Sequence, residues 1–135
     1  MIEVGPRDRV LHLGFGEGSA TRDFARRASS GLVLGVDSSG DAVRLARKLS
    51  VEIENIMFVL GSHEQVPWQG DFFSLVVSQA APQDWERAAR EMFRVTAPGG
   101  RVYVEPPPPG GEAVFQAAGF EAVRIDGLRL EARKP

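Results

Sequence analysis

Apolar positions along the chain follow two periods in turn. Residues 9–14 (RVLHLG), 32–37 (LVLGVD), 56–60 (IMFVL) and 72–78 (FFSLVVS) are short, nearly continuous apolar runs, the pattern of strands buried on both faces. Between them lie segments of helical period. In 20–30, Phe24, Ala25 and Ala28 share a face, with Gly31 expected as the C-cap. Ser38 begins the next helix, with Asp41 three residues on as in a capping box, and Ala42, Leu45, Ala46 and Leu49 form the expected inward stripe. A third helix is predicted over 83–96, with Trp85, Ala88, Ala89, Met92 and Phe93 on one side. Pro98-Gly99-Gly100 is expected to end it and lead into a fifth strand at 101–105.

Pro106 to Pro109 can continue neither a central strand nor a helix interior, so a stiff extended connection is expected. A short helix at 112–118 stops at Gly119, and two β-like runs, 121–125 and 128–132, meet at Asp126-Gly127, a hairpin signal. The order predicts an α/β fold: a three-layer sandwich around a mostly parallel seven-stranded sheet that ends in an antiparallel hairpin. At 135 residues the chain has room for one domain, expected over 1–135.

Composition narrows the partners. Sixteen basic and eighteen acidic residues leave a formal charge of −2, spread along the chain, so neither a nucleic-acid nor a membrane surface is indicated. No apolar run approaches the ~20 residues of a membrane helix. Glu3, Arg7, Asp8 and Arg9 interrupt the start of the chain, unlike a secretory signal. Cysteine is absent, which excludes disulfides, thiolate nucleophiles and cysteine metal sites. A cytoplasmic setting is expected, and no metal ligand set is assigned.

The candidate chemistry lies in Gly14-Phe15-Gly16-Glu17-Gly18, between the first strand and the first helix. Such a turn lets backbone approach a ligand closely. Asp37, about 20 residues on at the end of the second strand, can accept hydrogen bonds from both hydroxyls of a ribose. Loop and acid together point to a nucleoside without saying which. The third glycine comes one residue too early for a dinucleotide fingerprint, and Ser19 stands where that glycine belongs. A nicotinamide-dependent oxidoreductase is disfavoured on that spacing.

At this point the chain resembles the class I S-adenosylmethionine-dependent methyltransferases. VLHLGFGEG (10–18) is similar to their first motif and GVDSSGDAVRLARK (35–48) to the second. VLGSHEQVPW (59–68), REMFRVTAPGGRVYVEP (90–106) and AAGFEAVRI (117–125) follow three more in order. The resemblance implies a Rossmann-like fold and S-adenosylmethionine as cofactor. It places Gly14, Gly16 and Gly18 under the methionine and ribose, Asp37 on the ribose, Ser38, Ser62 and His63 by the adenine, and Gln79 near the methionine end. No catalytic residue is implied, because the sulfonium is already an activated methyl donor and positioning is the mechanism.

The chain also departs from the family. His12, Ser62 and Ser74 stand where acids are common, and their loss is expected to weaken a cationic ligand by about 1 to 3 kcal/mol. Ser78-Gln79-Ala80-Ala81-Pro82 lacks the Asn/Asp-Pro-Pro cluster of enzymes that methylate base amines. Glu64 and Glu105 are expected at the surface, and Trp68 and Trp85 in packing roles. His63 is open to three roles: stacking on adenine, acting as a base, or facing solvent. With little chain before the first strand or between the fifth strand and the last helix, no lid is expected. Three arrangements remain for an acceptor that the sequence does not identify. A large or protein-bound acceptor closes the site, a partner subunit or second copy covers it, or the domain binds cofactor without transferring anything.

Overall fold

The computed structural model describes residues 2–135. Seven strands form one sheet: β1 (Arg9–Leu13), β2 (Leu32–Asp37), β3 (Ile56–Leu60), β4 (Phe73–Ser78), β5 (Thr96–Val104), β6 (Glu121–Asp126) and β7 (Arg129–Arg133). Their spatial order is β3-β2-β1-β4-β5-β7-β6. The first five are parallel, and β7 runs antiparallel between β5 and β6. The predicted three-layer, mostly parallel sandwich with a C-terminal hairpin is the observed architecture.

Alternation along each strand assigns the layers. Val10 of β1 joins Phe24, Ala25 and Ala28, packing the sheet under α1 (Ser19–Arg27). Val43 and Ala46 of α2 (Gly40–Leu49) close on Phe15 and Phe58 on the same side. Leu11 and Leu13 point the other way, into the main core with Ala88, Ala89 and Met92 of α3 (Trp85–Val95) and Phe115 of α4 (Gly111–Ala118). Residues before β1 lie along the α1 side, where Ile2 is buried and its carbonyl accepts from Arg27 at 2.7 Å.

Past β4 no helix among the described residues covers the α1 side of the sheet. There Val102, Val104, Leu130 and Ala132 face the core while the residues between them point to water, as in a sheet with one solvated face. Three of the arginines on that face are paired with acids: Arg101 with Asp8, and Arg124 and Arg129 with Glu131. Arg129 also lies over the Tyr103 ring at 5.0 Å.

Four local expectations need correction. Helix α1 ends at Arg27 with Ala28 as its C-cap, and Gly31 is required for a different reason: a Cβ there would lie 2.0 Å from the Asp8 carbonyl oxygen. Helix α2 is capped by Ser39, whose hydroxyl accepts from the Ala42 N–H, and not by Ser38. Its buried positions are Val43 and Ala46, which meet Phe15 and Phe58, while Leu45 and Leu49 are exposed. Strand β5 begins at Thr96, so Pro98-Gly99-Gly100 is no helix-to-strand turn. It is an irregularity within the strand, between the Phe73–Thr96 and Leu75–Arg101 pairs. Gly99 and Gly100 keep their pairing by exchanging backbone hydrogen bonds with Lys134. The last helix does stop at Gly119, in the left-handed conformation.

Two glycines should therefore respond oppositely to alanine. Gly31→Ala is expected to destabilise the fold by about 2 to 4 kcal/mol, since backbone must move. Gly40→Ala, at the start of α2 where a Cβ meets only the end of Arg44 at 3.4 Å, should be neutral or stabilising by up to about 1 kcal/mol. Urea unfolding of the two variants distinguishes these outcomes.

Candidate functional site

Parallel strands in register bring their carboxyl ends to one edge. Leu13 pairs with both Val36 and Ser78, and Asp37 with Leu60. The segments leaving β1, β2, β3 and β4 consequently meet where chain order reverses on either side of β1, the place where open α/β sheets bind ligands. Backbone hydrogen bonds hold them together: Gly14 N–H to Val36 at 2.9 Å, Gly61 N–H to Asp37 at 3.0 Å, and Gln79 N–H to Leu13 at 3.1 Å.

A cavity of about 390 Å3 opens at this edge, lined among others by Gly14, Asp37, Ser38, Ser62 and His63. Its size is within the range of small-molecule sites. Gly14 has φ +74°, and a Cβ there would fall 2.4 Å from the Ala80 Cβ, so only glycine lets the two loops touch. Gly16 does not line the cavity but is tied to it, its N–H donating to Asp37 Oδ2 at 3.4 Å, and nothing lies within 4 Å of where its Cβ would be. The other Asp37 oxygen accepts from the Ser39 N–H at 3.0 Å. Gly18 is buried against Phe58 and caps α1, away from the cavity wall. Gln79 also lies outside the wall, followed by Ala80 and Ala81, which are part of it.

The expected loss of acids is corrected by position. Ser74 lies near the opposite end of its strand, where its hydroxyl donates to Asp8 and accepts from the Arg9 N–H. His12 is buried within β1, its Nδ1 2.7 Å from Thr21 Oγ1 and its Nε2 2.7 Å from Gln79 Oε1. Only Ser62 of the three reaches the cavity, where its hydroxyl closes a turn by accepting from the Gln65 N–H. The wall carries Asp37, Glu64 and Asp84 against the single cation Arg87, so the cavity favours a cationic ligand without those acids. Glu64, expected at the surface, is half-buried and accepts from the Gln83 N–H at 3.0 Å.

His63 does not face solvent. It is buried, with Nε2 2.9 Å from Ser78 Oγ, and the same hydroxyl lies 3.3 Å from the Ala80 carbonyl oxygen. Burial lowers its pKa, opposed by the charges of Glu64 and Asp37 and by its hydrogen bond to Ala80. Trp68 packs on Phe72 and Phe73, and Trp85 on Phe115, as expected of packing residues.

Sequence reasoning missed the wall formed by Pro82, Gln83, Asp84 and Arg87. The signal was Asp84, the helix cap that accepts from the Arg87 N–H at 3.1 Å. Placing the helix start at Gln83 hid it.

The chain's similarities agree with this geometry. The methyltransferase-domain family model matches residues 10–100. The chain is 34% identical over 106 residues to the ubiquinone/menaquinone biosynthesis C-methyltransferase UbiE of Vibrio vulnificus, covering 73% of this chain and 41% of that protein. It is 38% identical over 104 residues to the malonyl-[acyl-carrier protein] O-methyltransferase of Halorhodospira halophila, covering 75% and 35% respectively. It thus spans about two fifths or less of these curated relatives. Among solved structures, the fold matches a chain of the complex between the Haloferax volcanii Trm112 methyltransferase activator and a methyltransferase. The TM-score is 0.82 at 23% identity, over 94% of this chain and 67% of that one. An S-adenosylmethionine-dependent methyltransferase from Mesorhizobium loti superposes with TM-score 0.79 at 19% identity, over 99% and 94%. No helix among the described residues is long and apolar enough to cross a membrane.

Burial makes the site sensitive to acid. It pushes the His12 pKa from 6.5 down to about 4, against smaller upward pulls from the Gln79 hydrogen bond and the Asp37 charge. Between those pH values the unfolded chain binds a proton that the folded chain refuses. The stability due to neutral His12 is complete above pH 6.5 and lost as pH falls toward 4, a change of about 3 kcal/mol. His63 acts in the same direction. Urea unfolding at pH 7.5 and 4.5 should show this loss, reduced in His12→Gln; a flat profile in the parent protein contradicts it.

Proposed function

The chain belongs to the class I S-adenosylmethionine-dependent methyltransferase family, and on that footing we propose that residues 1–135 act as one domain that transfers a methyl group from S-adenosylmethionine to a still unidentified acceptor. The observation that carries this reading is Asp37. It sits at the end of β2 in the cavity wall, steadied by the Gly16 and Ser39 N–H groups, with open space beside Gly16. A carboxylate so anchored keeps free lone pairs for the two ribose hydroxyls.

The residues present suit this cofactor. Gly14, Gly16 and Gly18 shape the turn beneath the methionine and ribose. Ser38, Ser62 and His63 border the adenine, and Gln79 faces the methionine end. The acidic wall of Asp37, Glu64 and Asp84 favours its cationic groups. When bound, the cofactor supplies a methyl group already activated on sulfur. The chain's own work is to hold donor and acceptor within roughly 3 to 3.5 Å and to exclude water.

A second reading, a cofactor-binding domain that acts through a partner without catalysing transfer, draws on one observation. Among the described residues the four helices pack on the two faces of the sheet, so none of them crosses the mouth of the cavity. Either reading leaves room for a partner subunit, a second copy or a large acceptor at the mouth.

Calorimetric titration tests the common premise. S-adenosylmethionine and its demethylated product should bind, and NAD should not. Asp37→Ala should weaken binding at least tenfold, equivalent to about 1.4 kcal/mol or more, with an unchanged circular dichroism spectrum. Undiminished affinity would remove Asp37 from the site. Methyl transfer by the free domain, measured with labelled cofactor, separates the two readings.

A further inference from the structure

We infer that His63 is a proton-sensitive gate on the cavity: the cofactor seats against its neutral ring, and a proton on that ring loosens the hold on the cofactor. The inference rests on the cofactor reading of the cavity and adds a means of regulating it.

The ring is fixed in the cavity wall. In the sheet, β2 and β1 lie between β3 and β4, so the segment leaving β3 crosses both strand ends before His63 Nε2 comes within 2.9 Å of Ser78 Oγ. Ser78 is wholly buried at the end of β4. The next residue, Glu64, ties the same segment to the chain beyond β4 by accepting from the Gln83 N–H at 3.0 Å. A histidine on an open loop can swing into water when it takes up a proton. His63 is buried and tied across the crevice, so its charge would stay in the wall.

The groups around the ring set the direction. Burial is the largest influence and holds the His63 pKa below 6.5, while the charge of Glu64, the hydrogen bond with Ala80 and the charge of Asp37 pull it upward. From the start of α3, Asp84 and Arg87 complete the charged groups of the wall. Seating S-adenosylmethionine works against the proton in three ways. Its sulfonium and ammonium outweigh its one carboxylate, and a cavity of about 390 Å3 keeps that positive charge within about a Debye length of the ring, roughly 8 to 10 Å. The ligand displaces water from the open side of the ring. It also draws Asp37 into hydrogen bonds with the ribose hydroxyls, which spends charge that had favoured the proton. Each effect lowers the His63 pKa further in the complex. By linkage, affinity is full above the pKa of the free chain and falls as pH drops from there toward the pKa of the complex.

Proton NMR of the full chain between pH 8 and pH 5 reads the ring directly, because His12, with its pKa at about 4, stays neutral over that range and His63 is the one other histidine. In the free chain His63 should titrate below 6.5, and saturation with S-adenosylmethionine should lower its midpoint by about half a unit or more. An unmoved or raised midpoint overturns the inference. So does a ring that takes up no proton by pH 5 in the free chain, since the gate then has nothing to respond to. Calorimetry at pH 5.5 in two buffers of different ionisation enthalpy reads the consequence for binding. The parent chain should release more protons on binding S-adenosylmethionine than His63→Gln does, and its affinity should fall about twofold or more from pH 7.5 to 5.5, with a smaller fall in the variant. Equal proton release and parallel affinity profiles overturn the inference. If neither S-adenosylmethionine nor its demethylated product binds at pH 7.5, the cofactor reading fails and takes this inference with it, an outcome distinct from binding that ignores the ring.

Discussion

The structure depends on β1 being enclosed in every direction. It is paired on both edges, with β2 and β4, and buried on both faces under α1 and α3. Parallel pairing of three neighbouring strands in register gives all of them the same carboxyl end. Since chain order departs from β1 in opposite directions, the loops after β1 and β4 part and leave a crevice between them. The cavity is a product of that topology; the side chains decide only what it prefers.

Much of the fold was legible because it follows from period. The continuous runs at 32–37 and 56–60 are strands with those bounds; the first is buried on both faces and has no reason to alternate, whereas the second lies at the sheet edge with Met57 and Leu60 exposed. What could not be read was local and involved contact across the chain. Gly31 looked like a helix terminator, but its requirement comes from Asp8, distant in sequence. Pro98-Gly99-Gly100 carries strong turn chemistry, yet Lys134 supplies the pairing that keeps it in the sheet. Leu45 and Leu49 looked like an inward stripe because they share a helical period with Ala42 and Ala46, and period alone does not say which apolar face meets Phe15 and Phe58.

The candidate site was legible as a set of positions more than as a set of charges. Gly14, Asp37, Ser38, Ser62 and His63 meet in one wall, as strand ends must. The reckoning of lost acids treated His12, Ser62 and Ser74 as equivalent because each occupies a position where an acid is common. In three dimensions they lie at the middle, the top and the foot of the sheet. Glu64 and Asp84, which sequence patterns rank as ordinary surface acids, carry the negative charge that the cavity retains. Linear spacing cannot weigh a charge whose neighbours come from another strand.

The contact between Gly14 and Ala80 links two loops that topology drives apart. A side chain of even one carbon at position 14 would collide with Ala80, so the two segments bear on each other without slack. Gly14 adjoins the turn nearest Asp37, and Ala80 follows Gln79. Any larger residue at position 14 would therefore wedge the segment after β1 away from the segment after β4 and widen the crevice beside Asp37.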